Sequence, residues 1–102
     1  MKITLSKLAL SDLSEIKNYI KRDSLHYAKI FIQKIISSIK ILKDFPKIGR
    51  VVPEFKDENI REIFVKSYRV IYRIENQTIF IVTVIHGARL LKKAINDPWI
   101  IE

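Results

Sequence analysis

The stretch Tyr68 to Gly87, YRVIYRIENQTIFIVTVIHG, decides the fold. Its first half alternates, with Arg69, Ile71 and Arg73 on one side and Val70, Tyr72 and Ile74 on the other, the period-two pattern of a strand. Thr78 to His86 contains the largely apolar IFIVTVI and reads as a strand buried on both faces. Asn76-Gln77 sits between the two where a two-residue hairpin turn belongs, and Gly87 stops the second strand. With that turn, Glu75 lies opposite Thr78, Arg69 opposite Val84 and Ser67 opposite His86. Arg69 and His86 then become diagonal neighbours on one face, ~7–8 Å apart at Cα. Arg89 follows three residues after His86, at the same end. A register slip of one residue would instead put Arg69 and His86 on opposite faces.

Upstream, Asn59 to Val65 reads as another strand, mixed apolar and charged. A loop holding Gly49 and Pro53 precedes it. Before the loop the periodicity is helical. Leu13, Ile16 and Ile20 recur at helical spacing, with Ser11 as the expected cap and Asp12 and Glu15 in the first turn, where the helix dipole favours negative charge. Asp23-Ser24 stops this helix and caps a second. In the second, Ala28, Phe31, Ile32, Ile35, Ile36, Ile39 and Leu42 make a wide apolar face, and Phe45-Pro46 ends it. Ile30 and Ile41 fall outside the main stripe, so a second contact is expected there. Lys2 to Ser6 opens the chain as a short strand, and residues 88–95 are expected to form a short last helix before Asn96-Asp97-Pro98. The fold class is therefore α+β, in the order β-α-α-β-β-β: an N-terminal strand, then an antiparallel helix hairpin packed on one face of a small, mainly antiparallel sheet. Residues 1–102 are read as one domain.

Composition narrows the function classes. The chain has 102 residues, 48% of them hydrophobic, enough for a core and too many for a disordered segment. It has no cysteine, which excludes a disulfide scaffold, a thiolate metal site and a cysteine nucleophile. No long apolar signal segment opens it and no run approaches a membrane span, so a cytoplasmic protein without membrane contact is expected. The net charge is +8, from 19 Lys+Arg against 11 Asp+Glu. Residues 1–43 carry most of the excess, with nine basic side chains against three acidic. This balance suits an acidic partner. A lysine-rich coding bias would produce the same balance, since 13 Lys accompany 20 Ile.

The chemistry expected at the hairpin end is anionic recognition. Arginine offers a planar fork of donors, and histidine moves protons near neutrality. Cleavage of RNA through its own 2′-hydroxyl needs a base, an acid and cations. Arg69, Arg89 and Arg61 would supply the cations and His86 the base or acid; Tyr68 and Tyr72 are candidates for the second proton only by residue type. Each residue also has a plain reading. His86 would be a structural hydrogen-bonding residue, Arg69 would pair with Glu62 on the surface, Arg73 would be solvated, and the helical lysines would form a wet face. Arg50 has no evident partner, and Tyr19, Tyr27 and Trp99 are not interleaved with basic residues as in a nucleic-acid stacking pattern. His26 and His86 are 60 positions apart with no carboxylate cluster beside either, so neither a metal nor a cofactor is expected.

The segments Pro46-x-x-Gly49-Arg50-x-x-Pro53-Glu54, Arg61-Glu62, Tyr68 to Ile74 and Val84-Ile85-His86-Gly87-x-Arg89 together resemble the RelE/ParE superfamily of type II toxin–antitoxin toxins. The resemblance covers nearly the whole chain. It implies a small α+β toxin that arrests growth and is held inactive in a hetero-oligomer with a cognate acidic antitoxin. RelE-like members cut mRNA on the ribosome without a metal; ParE-like members poison DNA gyrase. By this resemblance Arg69 matches the arginine that begins the RelE-like catalytic strand and Arg89 the second arginine. Arg61 falls one residue from a position often held by a catalytic lysine. The next lysine position is Ile63 here, and the C-terminal tyrosine of many RelE-like enzymes would fall near Ile95. The stretch Ile85 to Leu91 is similar to ParE-like sequences. These departures favour the gyrase activity over mRNA cleavage, with an inactive remnant or a basic nucleic-acid-binding module as the third class.

Overall fold

The computed structural model describes residues 1–87. Strand β1 (Lys2–Leu5) leads directly into helix α1 (Lys7–Lys21), and a tight break leads to α2 (Leu25–Ile41). Strands β2 (Arg50–Val51), β3 (Ile60–Val65), β4 (Tyr68–Glu75) and β5 (Thr78–His86) follow. They form one sheet in the order β1-β5-β4-β3-β2. The β2-β3-β4-β5 neighbours are antiparallel and β1 runs parallel to β5.

The expected strands 68–75 and 78–86 are found with those bounds. Their turn places Asn76 and Gln77 at φ 47° and 64°. Both residues in the left-handed region is the geometry of the hairpin turn whose twist matches its strands, and it is unfavourable for a residue with a Cβ, least so for asparagine. The helix hairpin lies on one face of the sheet. Leu13, Ile16, Phe31, Ile35 and Ile39 pack there against Val65, Val70, Tyr72, Ile79, Ile81 and Val84. A smaller apolar cluster of Val52, Ile60, Ile71, Val82 and Ile85 covers the other face.

Two helix boundaries differ from expectation, and the sheet has one strand, β2, beyond the expected four. Helix α1 is capped by Ser6, not Ser11. The Ser6 hydroxyl accepts from the Ala9 amide at 2.9 Å and donates to the Val82 carbonyl at 2.7 Å, so one side chain both starts the helix and ties it to β5. Helix α2, capped by Ser24 as expected, ends at Ile41, before Phe45-Pro46. Tight turns follow, with the Lys43 and Asp44 amides donating to Lys40 and Ile41. The two-residue β2 is too short to show alternation in the sequence. Among the described residues nothing covers Ile30 and Ile41, where the sequence predicts a second contact: each is 50% exposed.

The earlier start of α1 moves Asp12 out of the first turn and into a buried position. Strand β1 pairs with β5 only as far as Ile81. Beyond that point α1 takes over the edge: Asp12 Oδ2 accepts from the Thr83 hydroxyl and from the Val84 amide, the latter at 3.0 Å. A carboxylate thus satisfies a strand-edge donor that no strand reaches.

Two stability changes follow. Asp12→Ala leaves the Thr83 and Val84 donors buried without this acceptor and is expected to cost about 2–3 kcal/mol in urea unfolding. Gln77→Gly relieves the second left-handed turn position and is expected to stabilise by about 1 kcal/mol, read as a raised thermal midpoint.

Candidate functional site

The hairpin register holds as expected from Glu75↔Thr78 to Tyr72↔Ile81 and then shifts, so that Ile71 pairs with Thr83. Val82 is the extra residue of a bulge in β5. Beyond it Arg69 lies opposite Ile85, not Val84, and Tyr68, not Ser67, lies opposite His86. This corrects the expected convergence: Arg69 and His86 occupy opposite faces of the sheet, because each residue past the bulge points to the other side.

Arg69 belongs to the face away from the helices, where it is bound by two carboxylates. Glu62 Oε1 accepts from its Nε at 2.6 Å and forms an ion pair with its Nη2 at 2.5 Å. Glu54 accepts from Nη1 and Nη2 at 2.9 and 3.0 Å, a bidentate fork. The second oxygen of Glu62 takes Arg50 Nε at 2.5 Å. The expected Arg69–Glu62 pair is therefore present, but inside the protein: the side chains are 6% and 0% exposed. Glu54 from the loop and Arg50 from β2 complete a set of two cations and two anions. Arg50 also lies over the exposed Phe64 ring, 5.3 Å from its centroid. The hydrogen bonds from Arg69 hold the Glu54 carboxyl below its ordinary range, and the same bonds raise the Arg69 pKa.

Arg61 points the other way along β3 and bonds the loops before and after β2. Its Nε donates to the Glu58 carbonyl and its Nη1 to the Gly49 carbonyl, both at 2.9 Å. The loop before β2 is also gripped by Tyr72, whose buried hydroxyl accepts from the Gly49 amide at 3.0 Å and donates to the Pro46 carbonyl at 2.7 Å. A Cβ on Gly49 would stand 2.6 Å from that hydroxyl and 2.5 Å from the Glu62 carbonyl, so only glycine permits the approach. Burial pushes the Tyr72 hydroxyl pKa up.

His86 is exposed on the helix side, edge-on to Tyr68 with ring centroids 5.6 Å apart. Burial raises the Tyr68 pKa and keeps its hydroxyl neutral. Arg89 and the expected helix over 88–95 lie outside the described residues. The described part of the site thus divides into a carboxylate-clamped arginine on one face and a Tyr68–His86 pair on the other. The residues that reasoning from sequence missed are Glu54, Arg50 and Asp12; a lone carboxylate in a loop gave no signal of its partner. Among the described residues no group of three or more His, Cys, Asp or Glu could hold a metal ion. Nor, among them, is any helix long and apolar enough to cross a membrane.

Comparison with known proteins places this geometry. The family described as "ParE toxin of type II toxin-antitoxin system, parDE" matches residues 3–91. A search of curated proteins finds no match. Among solved structures, a chain of the chromosomal ParDE toxin–antitoxin system from P. aeruginosa superposes with a TM-score of 0.71 at 19% identity, over 84% of this chain and 95% of that one. A chain of the RelBE2 toxin–antitoxin complex from Mycobacterium tuberculosis superposes with a TM-score of 0.53, also at 19% identity, over 83% and 95%. At such identity the two structures speak for the fold.

The Glu54–Arg69 fork predicts an acid-labile contribution. Because the Glu54 pKa lies below its ordinary value of 4.5, the pair contributes fully above that pH and is lost as pH falls through the lowered value. Glu54→Gln is expected to narrow the loss of stability between neutral and acid pH by on the order of 1 kcal/mol, measured by urea unfolding across the range.

Proposed function

Since the chain belongs to the ParE toxin family of type II toxin–antitoxin systems, we propose that it arrests growth in the cytoplasm by binding DNA gyrase, and is held inactive by a cognate acidic antitoxin. The observation that carries the choice of target is the state of Arg69. Its guanidinium is bound on two edges by Glu62 and Glu54 on the face opposite His86. Arg61 spends its donors on main-chain carbonyls. Among the described residues no arginine therefore stands beside His86, whose groove has a single lysine, Lys66, as its cation, whereas RNA cleavage calls on several cations held next to the proton-transfer group. Inhibition by surface binding makes no such demand.

A second reading rests on one observation. Tyr68 and His86 are adjacent, and both side-chain types transfer protons. An mRNA endonuclease on the ribosome would use that pair, with Arg89 as its cation.

Support for the antitoxin comes from the other end of the sheet. Strand β1 is a terminal strand. Between it and α2 runs a depression of about 650 Å³, floored by Ile3, Leu5, Ile36 and Ile39 and rimmed by Lys2, Lys40 and Lys43. An acidic, partly disordered segment with apolar residues matches both the floor and the rim, and would fold as it binds.

Purified protein added to a gyrase supercoiling reaction is expected to block supercoiling or to accumulate cleaved DNA. Unchanged supercoiling together with new primer-extension stops in translated mRNA would overturn the gyrase reading in favour of the endonuclease. Unchanged supercoiling without stops, and induction without a growth defect, would leave a remnant.

A further inference from the structure

Three of the four tyrosines and one of the two histidines meet at the end of the helix hairpin where α1 finishes and α2 starts. The groove there has a volume of about 440 Å³ and is lined by Tyr19, Tyr27, Phe31, Lys66, Tyr68 and His86, among others. This lies within the ~300–1,000 Å³ of small-ligand sites. A shallower depression of about 240 Å³ shares Tyr19, Tyr68 and His86 and continues toward Asp12 and Glu15. The rings are ordered against one another. Tyr27 stacks on Phe31 at 6.3 Å and 19°, Phe31 leans on Tyr68 at 5.6 Å, and Tyr68 meets His86 edge-on at 5.6 Å. Two members present their rings to water: Tyr19 is 63% and Tyr27 51% exposed.

Two large exposed tyrosines flanking one groove are not explained by the core, which the inner rings already close. Tyrosine faces stack on planar heterocycles without reading their edges. Lys66 is exposed in the β3–β4 turn and adds a cation at one end of the groove. The carboxylates of Asp12 and Glu15 lie only in the neighbouring depression, so an anionic chain is steered past Lys66 and away from them. The net charge of +8 supplies a long-range attraction of the same sign.

We infer that this groove is a stacking site for an unpaired base of single-stranded nucleic acid, with Tyr19 and Tyr27 as the stacking surfaces and Lys66 on the adjoining phosphate. The inference does not rest on the gyrase reading; under the endonuclease reading, whose Tyr68–His86 pair lines this same groove, the strand held here would be the mRNA itself. Nothing in the groove is placed to read a particular base, so binding is sequence-tolerant.

The test is fluorescence anisotropy of a labelled oligothymidylate of about a dozen nucleotides, a length that spans one such site, titrated with the full chain at low salt. The Tyr19→Leu/Tyr27→Leu double variant is expected to bind about tenfold more weakly or worse, with an unchanged thermal midpoint because both side chains are exposed. Tyr19→Phe/Tyr27→Phe keeps both ring faces and is expected to bind as the parent does. Lys34→Gln, on the exposed flank of α2, removes the same charge as Lys66→Gln but is expected to weaken binding less, by no more than about threefold. No binding by the parent, undiminished binding by the double leucine variant, or equal losses from the two lysine variants would overturn the inference. A gyrase assay that fails would leave it standing, because oligothymidylate binding is read without gyrase.

Discussion

One extra residue in β5 organises the rest of the molecule. Up to Tyr72↔Ile81 the β4–β5 hairpin follows its turn; at Val82 the strand takes one residue more than its partner. That bulge falls where β1 stops and α1 begins to cover the β5 edge. The Val82 carbonyl accepts from Ser6, and the next two residues, Thr83 and Val84, donate to Asp12. The irregularity and the helix docking are therefore one event. A locally twisted edge offers its donors to a side chain rather than to a strand, and the carboxylate that takes them fixes the helix that shields them. Everything in β5 beyond the bulge inherits its phase, so His86 falls on the face opposite Arg69, whose own face follows the plain alternation of β4.

The face that receives Arg69 is set up to neutralise it. Burying a guanidinium is costly unless charge and hydrogen bonds are both returned to it, and Glu62 and Glu54 return both. Glu62, fully buried, carries the heavier duty, since it serves Arg69 with one oxygen and Arg50 with the other. Removing one member of such a set leaves an unpaired charge in the interior, a loss of about 3–5 kcal/mol by precedent. The same set holds strand β2 and the loop that carries Glu54. Gly49 and Tyr72 close the loop before β2 from the helix side through a backbone approach that no side chain would allow. A strongly basic protein thus has a charge-balanced outer sheet face, and its surplus of lysines lies elsewhere.

What was legible in the sequence was periodicity. The alternation from Tyr68 to Glu75 and the apolar run from Thr78 to His86 gave both strands their bounds, and Ser24 capped α2 as its position suggested. What was not legible was interruption. A bulge changes no residue type, so the IFIVTVI run reads the same with or without one. Ser11 followed by Asp12 has the composition of a helix start, yet Ser6 won the cap because only Ser6 also reaches the Val82 carbonyl. The pairing of Arg69 with Glu62 was visible as an alternative, but its burial was not, since that depends on Glu54 arriving from a loop. The aromatic groove illustrates the limit best. Tyr19, Tyr27, Tyr68 and His86 are far apart in the chain and show no interleaving with basic residues; only the hairpin of α1 and α2 closing over the β4–β5 end brings them together.

The two surfaces that remain to be used are separated along α2. Ile36, Ile39, Lys40 and Lys43 face the depression beside β1, whereas Tyr27 and Phe31 face the aromatic groove. Thirteen residues separate Tyr27 from Lys40, about 20 Å of helix. A short segment seated against β1 therefore leaves the groove open, and a partner that occupies both must be extended or must fold along the helix. Ile30 and Ile41, half-exposed on the flank of α2, are apolar stations available to such a partner. Charge alone would draw an acidic chain to either surface. Among the described residues, apolar floor and lysine rim occur together at β1, and stacked rings at the other end. The chemistry of each surface, rather than the net charge, assigns it a different kind of ligand.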